Sequence, residues 1–421
     1  MKTTKATRRS ITVFAQIVQL IPRGLISRLS AAAMVKSRVL SYRDQVLSLL
    51  FGQVMRSRGL NEICDAMRAF APALARAGGL RAPARNTLSN ANRTRDPAVA
   101  EAVYWALKAF LEGVEPGFGG GRHRGRLARF RERRVFLVDA TIVGLTVASL
   151  DWARYRRRKA AAKIHMRLDA AASMPSFIAI GPAAPHDSTM ARELCAGVPP
   201  GSVVVADRGY NDFSFLRWLS DSGSSFVVRE KARTRARTVG AADAAGLPDG
   251  ILADERILLD GRETAVEYPG VLRRVTAIVE VGGRTAEMSF LTNNADWSPR
   301  TVAELYRARW GVETFFKELK QTLQVRDFYG ENENAVKWQL WTAMVAHLLL
   351  RFLRFRSRWR LSYTRLVALV SALAMAKVDL LAVLAFHGTA PPRADAPPRP
   401  EAPYLPGLER FFRPAMGQRM A

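Results

Sequence analysis

The sequence predicts an α/β protein, with a mixed-sheet domain set between a helical N-terminal region and C-terminal helices. Three observations predict it. Over residues 1–115 apolar side chains recur at three- and four-residue spacing. From Val135 short β-branched runs take over and then alternate with helical segments. After Ser298 the helical period returns and holds to about residue 386.

In the first region, Gln45–Met55 and Leu60–Phe70 carry apolar residues at three- and four-residue spacing and read as helices, separated by Ser57-Arg58-Gly59. Thr87–Arg95 (TLSNANRTR) opens on capping residues and ends basic, which suits either a helix-turn-helix reader of DNA or any small helical bundle. Residues 116–134 form a Gly-rich, basic linker. It lacks the GK[ST] of a phosphate-cradling loop, and its arginines are placed to touch a DNA backbone. The runs VFLVD (135–139), IVGLTV (142–147), IHMRLD (164–169), SFIAI (176–180), VVVAD (203–207) and FVV (226–228) read as strands, and Asp212–Ser220 as the clearest helix among them. Residues 231–289 interrupt this pattern with short strands and Gly turns, as a β-rich insertion would. The domain then resumes over 290–330. Ser298-Pro299 starts a long helix with a good cap and a first-turn proline. Apolar helices follow within 331–388, and 389–421 is a Pro-rich tail expected to be disordered.

Composition narrows the function. The chain is 48% hydrophobic and 24% charged, as globular proteins are, but 64 Lys+Arg against 37 Asp+Glu leave +27. A charge of that size repels itself unless a polyanion faces it, and nucleic acid is the usual partner. A bias towards Arg and Ala in a GC-rich genome would also raise the charge. Two cysteines, Cys64 and Cys195, without paired spacing argue against a disulfide framework, and no Cys or His spacing suits zinc. The apolar N-terminal run ITVFAQIVQLI is broken by Gln16 and Gln19 and has no cleavage site after it. Residues 363–386 carry Lys377 and Asp379 inside an apolar stretch, which favours buried helices over a membrane span. The expected setting is the cytoplasm, with no membrane partner.

Two carboxylates close apolar strand runs: Asp139 in VFLVD and Asp207 in VVVAD. Open α/β sheets place their sites at such ends, although strands also end in Asp simply to turn. Side by side, two carboxylates need a cation between them, and hard divalent ions suit an all-oxygen ligand set. In the helix 301–323, at about 100° per residue, Tyr306, Arg309, Glu313, Lys317 and Lys320 fall within about 80° of one another. Leu305, Val312, Phe315, Phe316, Leu319 and Leu323 form a separate apolar stripe. Trp310 lies beside the charged stripe, as a surface that meets a base or sugar would have it. A solvated face with i,i+4 ion pairs through Arg309, Glu313 and Lys317 is the plainer alternative.

Tyr306-x2-Arg309-x3-Glu313-x6-Lys320 resembles the Y-R-E-K signature of the DDE transposases of bacterial insertion sequences, in the insertion sequence four family. Other blocks agree in order. VDAT (138–141) and DRGY (207–210) look like the family's two Asp motifs, and Ala140 is the mildest variation. KIHMRLD (163–169), PHDS (185–188), FLTN (290–293) and FAQIVQLIPR (14–23) also resemble family blocks, so the likeness runs from about 14 to 355. It implies an RNase H-like catalytic domain with the β-rich insertion between the second Asp and the Glu. It also implies two Mg²⁺ ions, replaceable by Mn²⁺, on Asp139, Asp207 and Glu313. Tyr306, Arg309 and Lys320 would position DNA, with Lys317 and Trp310 beside them. The expected partners are double-stranded DNA (terminal inverted repeats and target), a second copy in a homodimer, and the nucleoid. A nuclease on the same fold, or a silent DNA-binding relative, would share most of these features.

Overall fold

The computed structural model describes residues 11–31, 39–76, 79–120, 125–145, 149–156, 159–242, 246–281, 284–322 and 328–388. The tail at 389–421, residues 121–124 of the linker and Leu323 lie outside them.

The N-terminal region is helical, its longest helices being α1 (Tyr42–Met55) and α2 (Ala98–Val114). Ser41 caps α1 by accepting from the Asp44 N–H. Almost every face of α1 is buried, as an apolar helix without a polar stripe requires. The N-terminal apolar run is a core helix, Val13–Val18, whose first two N–H groups donate to Ala376 and Ala374. Gln16, which breaks that run, donates from Nε2 to the Val378 carbonyl at 2.6 Å and accepts from the Leu380 N–H at 3.0 Å. Its amide thus ties the two ends of the described chain together.

The sheet strands follow as β1 (Val135–Leu145), β2 (Arg154–Arg156), β3 (Lys159–Asp169), β4 (Met174–Pro182) and β5 (Val203–Ala206). The helix α3 (Phe213–Asp221) and the strand β6 (Ser225–Arg229) come next. Then come β7 (Ala236–Ala241), β8 (Ile251–Leu259), β9 (Leu272–Val281) and β10 (Arg284–Thr292). All ten strands form one sheet in the order β2-β3-β1-β5-β6-β10-β9-β8-β7, with β4 paired to β3. β1, β5 and β6 run parallel, and β5 is buried at every residue, as a central parallel strand must be. β7–β9 and the start of β10, the segment expected as an insertion, add to this sheet through β10 on β6.

One expectation needs correcting here. VFLVD and the described part of IVGLTV, residues 142–145, are not separate strands but one, β1, and Asp139 lies within it rather than at its end; residues 146 and 147 lie outside the described residues. β3 supplies the reason: it lies antiparallel along the whole of β1, from Phe136 opposite Asp169 to Leu145 opposite Ala160. That ladder carries β1 straight through Ala140 and Thr141.

After the sheet come α4 (Pro299–Ala308), α5 (Trp310–Thr322), α6 (Glu333–Arg356), α7 (Tyr363–Leu373) and α8 (Leu380–Gly388). The single helix expected over 301–323 is therefore two, joined at Arg309, and this is a second correction. The joint is tightened by three-residue hydrogen bonds, Arg309 N–H to Tyr306 and Val312 N–H to Arg309, each 3.0 Å. Gly311 just beyond it packs so close to β1 that a Cβ there would sit 3.1 Å from Leu137 Cδ1. The apolar stretch 363–386 splits into α7 and α8, with Lys377 and Asp379 in the turn between. Among the described residues no helix is long and apolar enough to cross a membrane.

Candidate active site

Sheet register brings the two aspartates together. β1 and β5 pair in parallel from Val135 with Val203 to Val138 with Ala206, so Asp139 and Asp207 are the next residues on neighbouring strands. Neighbouring strands lie about 5 Å apart. Alternation sets the face: Val135, Leu137, Val203 and Val205 belong to the core shared with the helices, whereas Val138, Val204 and Ala206 belong to the core on the other face. Asp139 and Asp207 follow the first set and so face α4 and α5.

At the joint of those two helices, Arg309 bridges the carboxylates. Its Nη1 donates to Asp139 Oδ2 at 2.9 Å and its Nη2 to Glu313 Oε1 at 2.6 Å. The Tyr306 hydroxyl donates to Asp207 Oδ1 at 2.8 Å, and the Arg309 guanidinium lies 5.2 Å from the Tyr306 ring centre. All three predicted carboxylates thus hang on two adjacent side chains. Burial pushes the Asp139 carboxyl up to about 6; Arg309 and the Ala140 N–H pull against that, and Asp207 and Glu313 add to it. Burial also opposes the charge on Arg309, but Tyr306 and the three carboxylates around it outweigh burial and raise its pKa.

Tyr306 and Arg309, expected to position DNA, are buried against the aspartates. The physical reason is that unpaired buried carboxylates are costly and a guanidinium fork satisfies two at once. The remaining stripe does face out: half of the Glu313 side chain is exposed, Lys317 and Lys320 are exposed, and Trp310 is 36% exposed. A plain solvated face accounts for Lys317 and Lys320 but not for the two buried members, and the ion pair of Glu313 runs back to buried Arg309.

A second layer, not assigned a role from sequence, holds the turn after Asp207. Lys163 Nζ donates to the Pro185 carbonyl at 2.7 Å and pairs with Asp187 at 3.0 Å. Asp187 Oδ2 lies 2.8 Å from where a Cβ on Gly209 would stand, so only glycine lets it come so near. His165 Nδ1 is 3.2 Å from the buried Tyr210 hydroxyl. The motifs KIHMRLD, PHDS and DRGY are therefore one packed unit.

Among the described residues, no three acidic, His or Cys side chains are spaced to hold a metal as they stand. The donor set nonetheless fits one. Two carboxylates, Asp139 and Glu313, share a single cation, the Arg309 guanidinium, with Asp207 beside them on Tyr306, and hard divalent ions take such oxygens.

The chain has recognisable relatives among known proteins. Residues 130–349, more than half of it, match the family model described as a transposase DDE domain. The chain belongs to the DDE transposase family. Residues 9–79 match a second model, described as a domain of unknown function. Among relatives, the putative transposase y4zB of Sinorhizobium fredii is 27% identical over 306 residues, covering 72% of this chain and 80% of that one. A probable transposase for insertion sequence element IS5377 of Geobacillus stearothermophilus is 28% identical over 218 residues, 52% of this chain and 56% of its own. A piggyBac transposase synaptic complex with hairpin DNA aligns with 96% of this chain and 84% of its own. Its TM-score of 0.43 and 11% identity are too loose to define the fold. The protein is a DNA transposase, an enzyme that cleaves and joins DNA, and such enzymes work with divalent metal ions.

The transposase anchors α5 from behind. Glu318, on the side of α5 turned away from the carboxylates, pairs with Arg351 at 3.2 Å and Arg354 at 3.0 Å on α6, and lies 3.6 Å from His347 Nε2. Burial opposes its charge, but His347, Arg351 and Arg354 hold the Glu318 carboxyl below the usual range. Burial pushes His347 down to about 4, further than Glu318 beside it lifts it; Phe315 and Tyr363 flank the ring. Folded His347 therefore stays neutral as pH falls through 6.5, while the unfolded chain takes up a proton. Its contribution is complete above pH 6.5 and lost as pH falls towards 4. Thermal melts should show His347→Gln starting lower at pH 7 but losing less than the parent by pH 4.5, the difference being on the order of 2 kcal/mol. Parallel melting curves across that range would remove His347 from the account.

Proposed function

We propose that this transposase belongs to the Y-R-E-K group of the insertion sequence four family and carries its chemistry on Asp139, Asp207 and Glu313 in an RNase H-like domain. The observation that carries the reading is the Arg309 bridge, with Asp139 and Glu313 on its two arms and Asp207 on the neighbouring Tyr306. The three carboxylates are the ligands for two Mg²⁺ ions, which when bound supply activation of an attacking water or DNA 3′-hydroxyl and stabilisation of the departing oxygen.

The chain's own residues do the rest. Arg309 and Tyr306 hold the carboxylates in place and keep their charge tolerable until DNA and metal arrive. Ala140 fixes one oxygen of Asp139 through its N–H at 2.8 Å. Lys317, Lys320 and Trp310, all facing outward, meet the phosphates and a sugar or base of the element end. The helical region before residue 115 adds DNA contacts, and a homodimer assembles on the paired ends. β7–β9 stand outside the catalytic core as the β-rich insertion of the family.

The deciding experiment supplies the element's own end DNA and scores cutting and joining in parallel. Mg²⁺ or Mn²⁺ should support both reactions, and Ca²⁺ should support binding alone. Unimpaired cleavage in excess EDTA would sink the metal assignment. Cutting without joining would point to a nuclease instead.

A further inference from the structure

A cavity of about 650 Å³ opens where α6 ends, between that helix end, the β3–β4 turn and the short helix Pro116–Gly119. Three arginines line it, Arg351, Arg354 and Arg358, with Phe118, Phe355 and Trp359, and no acidic residue does. Glu318 behind it neutralises one charge of the three, so two remain. The β3–β4 turn adjoins the start of β1, since Asp169 pairs with Phe136. Asp139 lies three residues further along, about 10 Å at strand rise. The cavity is thus separate from the carboxylate site.

Arg358 is in an unusual place. It follows the last residues of α6 in the left-handed conformation, φ 53°, with the Trp359 N–H returning to the Arg354 carbonyl at 3.0 Å. Glycine is the usual residue there, because a Cβ is strained. Ser173 across the cavity is likewise left-handed, φ 52°. Arg358 is exposed, and its guanidinium makes no hydrogen bond or ion pair among the described residues, although its backbone N–H donates to the Phe355 carbonyl at 3.1 Å. The backbone bonds that close α6 hold it there, and no ion pair of its side chain among the described residues adds to them. Phe355 beside it is 41% exposed, which leaves an aromatic ring available next to free positive charge.

We propose that this cavity is a second DNA seat of the transposase, holding a backbone phosphate on Arg358, Arg351 and Arg354 and the adjoining sugar or base on Phe355. It rests on DNA being the ligand of this enzyme, and within that on two matches of chemistry. Guanidinium forks suit phosphate oxygens, and an exposed ring offers a sequence-tolerant stacking platform. The seat takes up DNA away from the reacting end, so it holds the substrate without touching the scissile bond. The flanks of the Gly-rich linker, Gly117, Phe118 and Leu127, form its wall, which gives that basic segment a role.

Arg358→Gly separates the two explanations for this residue. It relieves the left-handed strain, so the melting temperature should rise. It also removes a phosphate contact. Affinity for a fluorescein-labelled duplex of random sequence, measured without metal, should fall on the order of tenfold at 0.1 M salt, and the log–log salt slope should become shallower by about one. Arg358→Lys should keep the slope, and Phe355→Ser should weaken binding while leaving the slope alone. Arg358→Gly binding with the parent's affinity and slope overturns the proposal. If the parent itself shows no salt-dependent duplex binding, the DNA reading fails instead, and the two failures are told apart.

Discussion

Glu313→Gln should cut strand cleavage by about 10³-fold or more while duplex binding stays within about twofold of the parent. The substitution keeps the shape of the side chain and a carbonyl oxygen for Arg309 Nη2, now 2.6 Å from Glu313 Oε1. It removes the negative charge that a divalent ion needs. Half of the Glu313 side chain is exposed, so its ion pair with Arg309 adds little to stability, about 0–1 kcal/mol. Activity and folding therefore separate in this variant. Cleavage assays on the element end, beside gel shifts on the same protein, check it, and parent-level cleavage would end the catalytic assignment of Glu313.

Arg309→Ala should act in the reverse order, on stability first. Without the guanidinium, Asp139 is left buried beside Asp207 and Glu313 with no cation, and removing one partner of such a pair costs about 3–5 kcal/mol. Millimolar Mg²⁺ should restore most of that loss, because a metal ion replaces the missing charge. The loss should also be smaller below pH 6. Asp139 already titrates near there in the parent, and losing Arg309 raises it further, so protonation discharges it in acid. Melting curves in EDTA and in Mg²⁺, each at pH 5 and pH 7.5, read all three statements. Equal melting with and without metal would show that these carboxylates do not bind it. If Arg309 instead gripped DNA phosphate, the variant would lose about one unit of salt slope in duplex binding; the observed pairing predicts no such change.

Much of this architecture was legible in the sequence because it is written locally. The helical spacing in 45–55 and 60–70, the Ser298-Pro299 cap and the apolar runs of β5 and β6 each depend on neighbours within a few residues. The wheel that grouped Tyr306, Arg309 and Glu313 identified a real face of the helix pair. It could not say that the face looks inward at Tyr306 and Arg309, because that is decided by Gly311 against Leu137 on a strand far away in the chain. The continuity of β1 past Asp139 was hidden for the same reason, since β3 imposes it. Glu318 looked like one more charge on an amphipathic helix. Its partners Arg351, Arg354 and His347 lie on another helix, where no local period announces them. The level pairing of Asp139 with Asp207 is likewise a register between separated strands, visible as two Asp motifs in order but not as a distance.

The way β10 returns to β6 has a bearing on how such a chain tolerates change in length. Everything between Arg229 and Phe290 departs from β6 and returns to it along one seam, where Phe290, Leu291 and Thr292 pair with Arg229, Val228 and Val227. α4 rests on both sides of that seam. Residues added at the outer margin, around the β7–β8 connection, lengthen the sheet's far rim and leave the seam untouched. Residues lost near the seam bare β6 as an edge and take the floor from beneath the helix that carries Tyr306. Tolerance to insertion and deletion therefore grades outward across this half of the molecule, so that its periphery is free to diversify while the strands that level Asp139 with Asp207 are not.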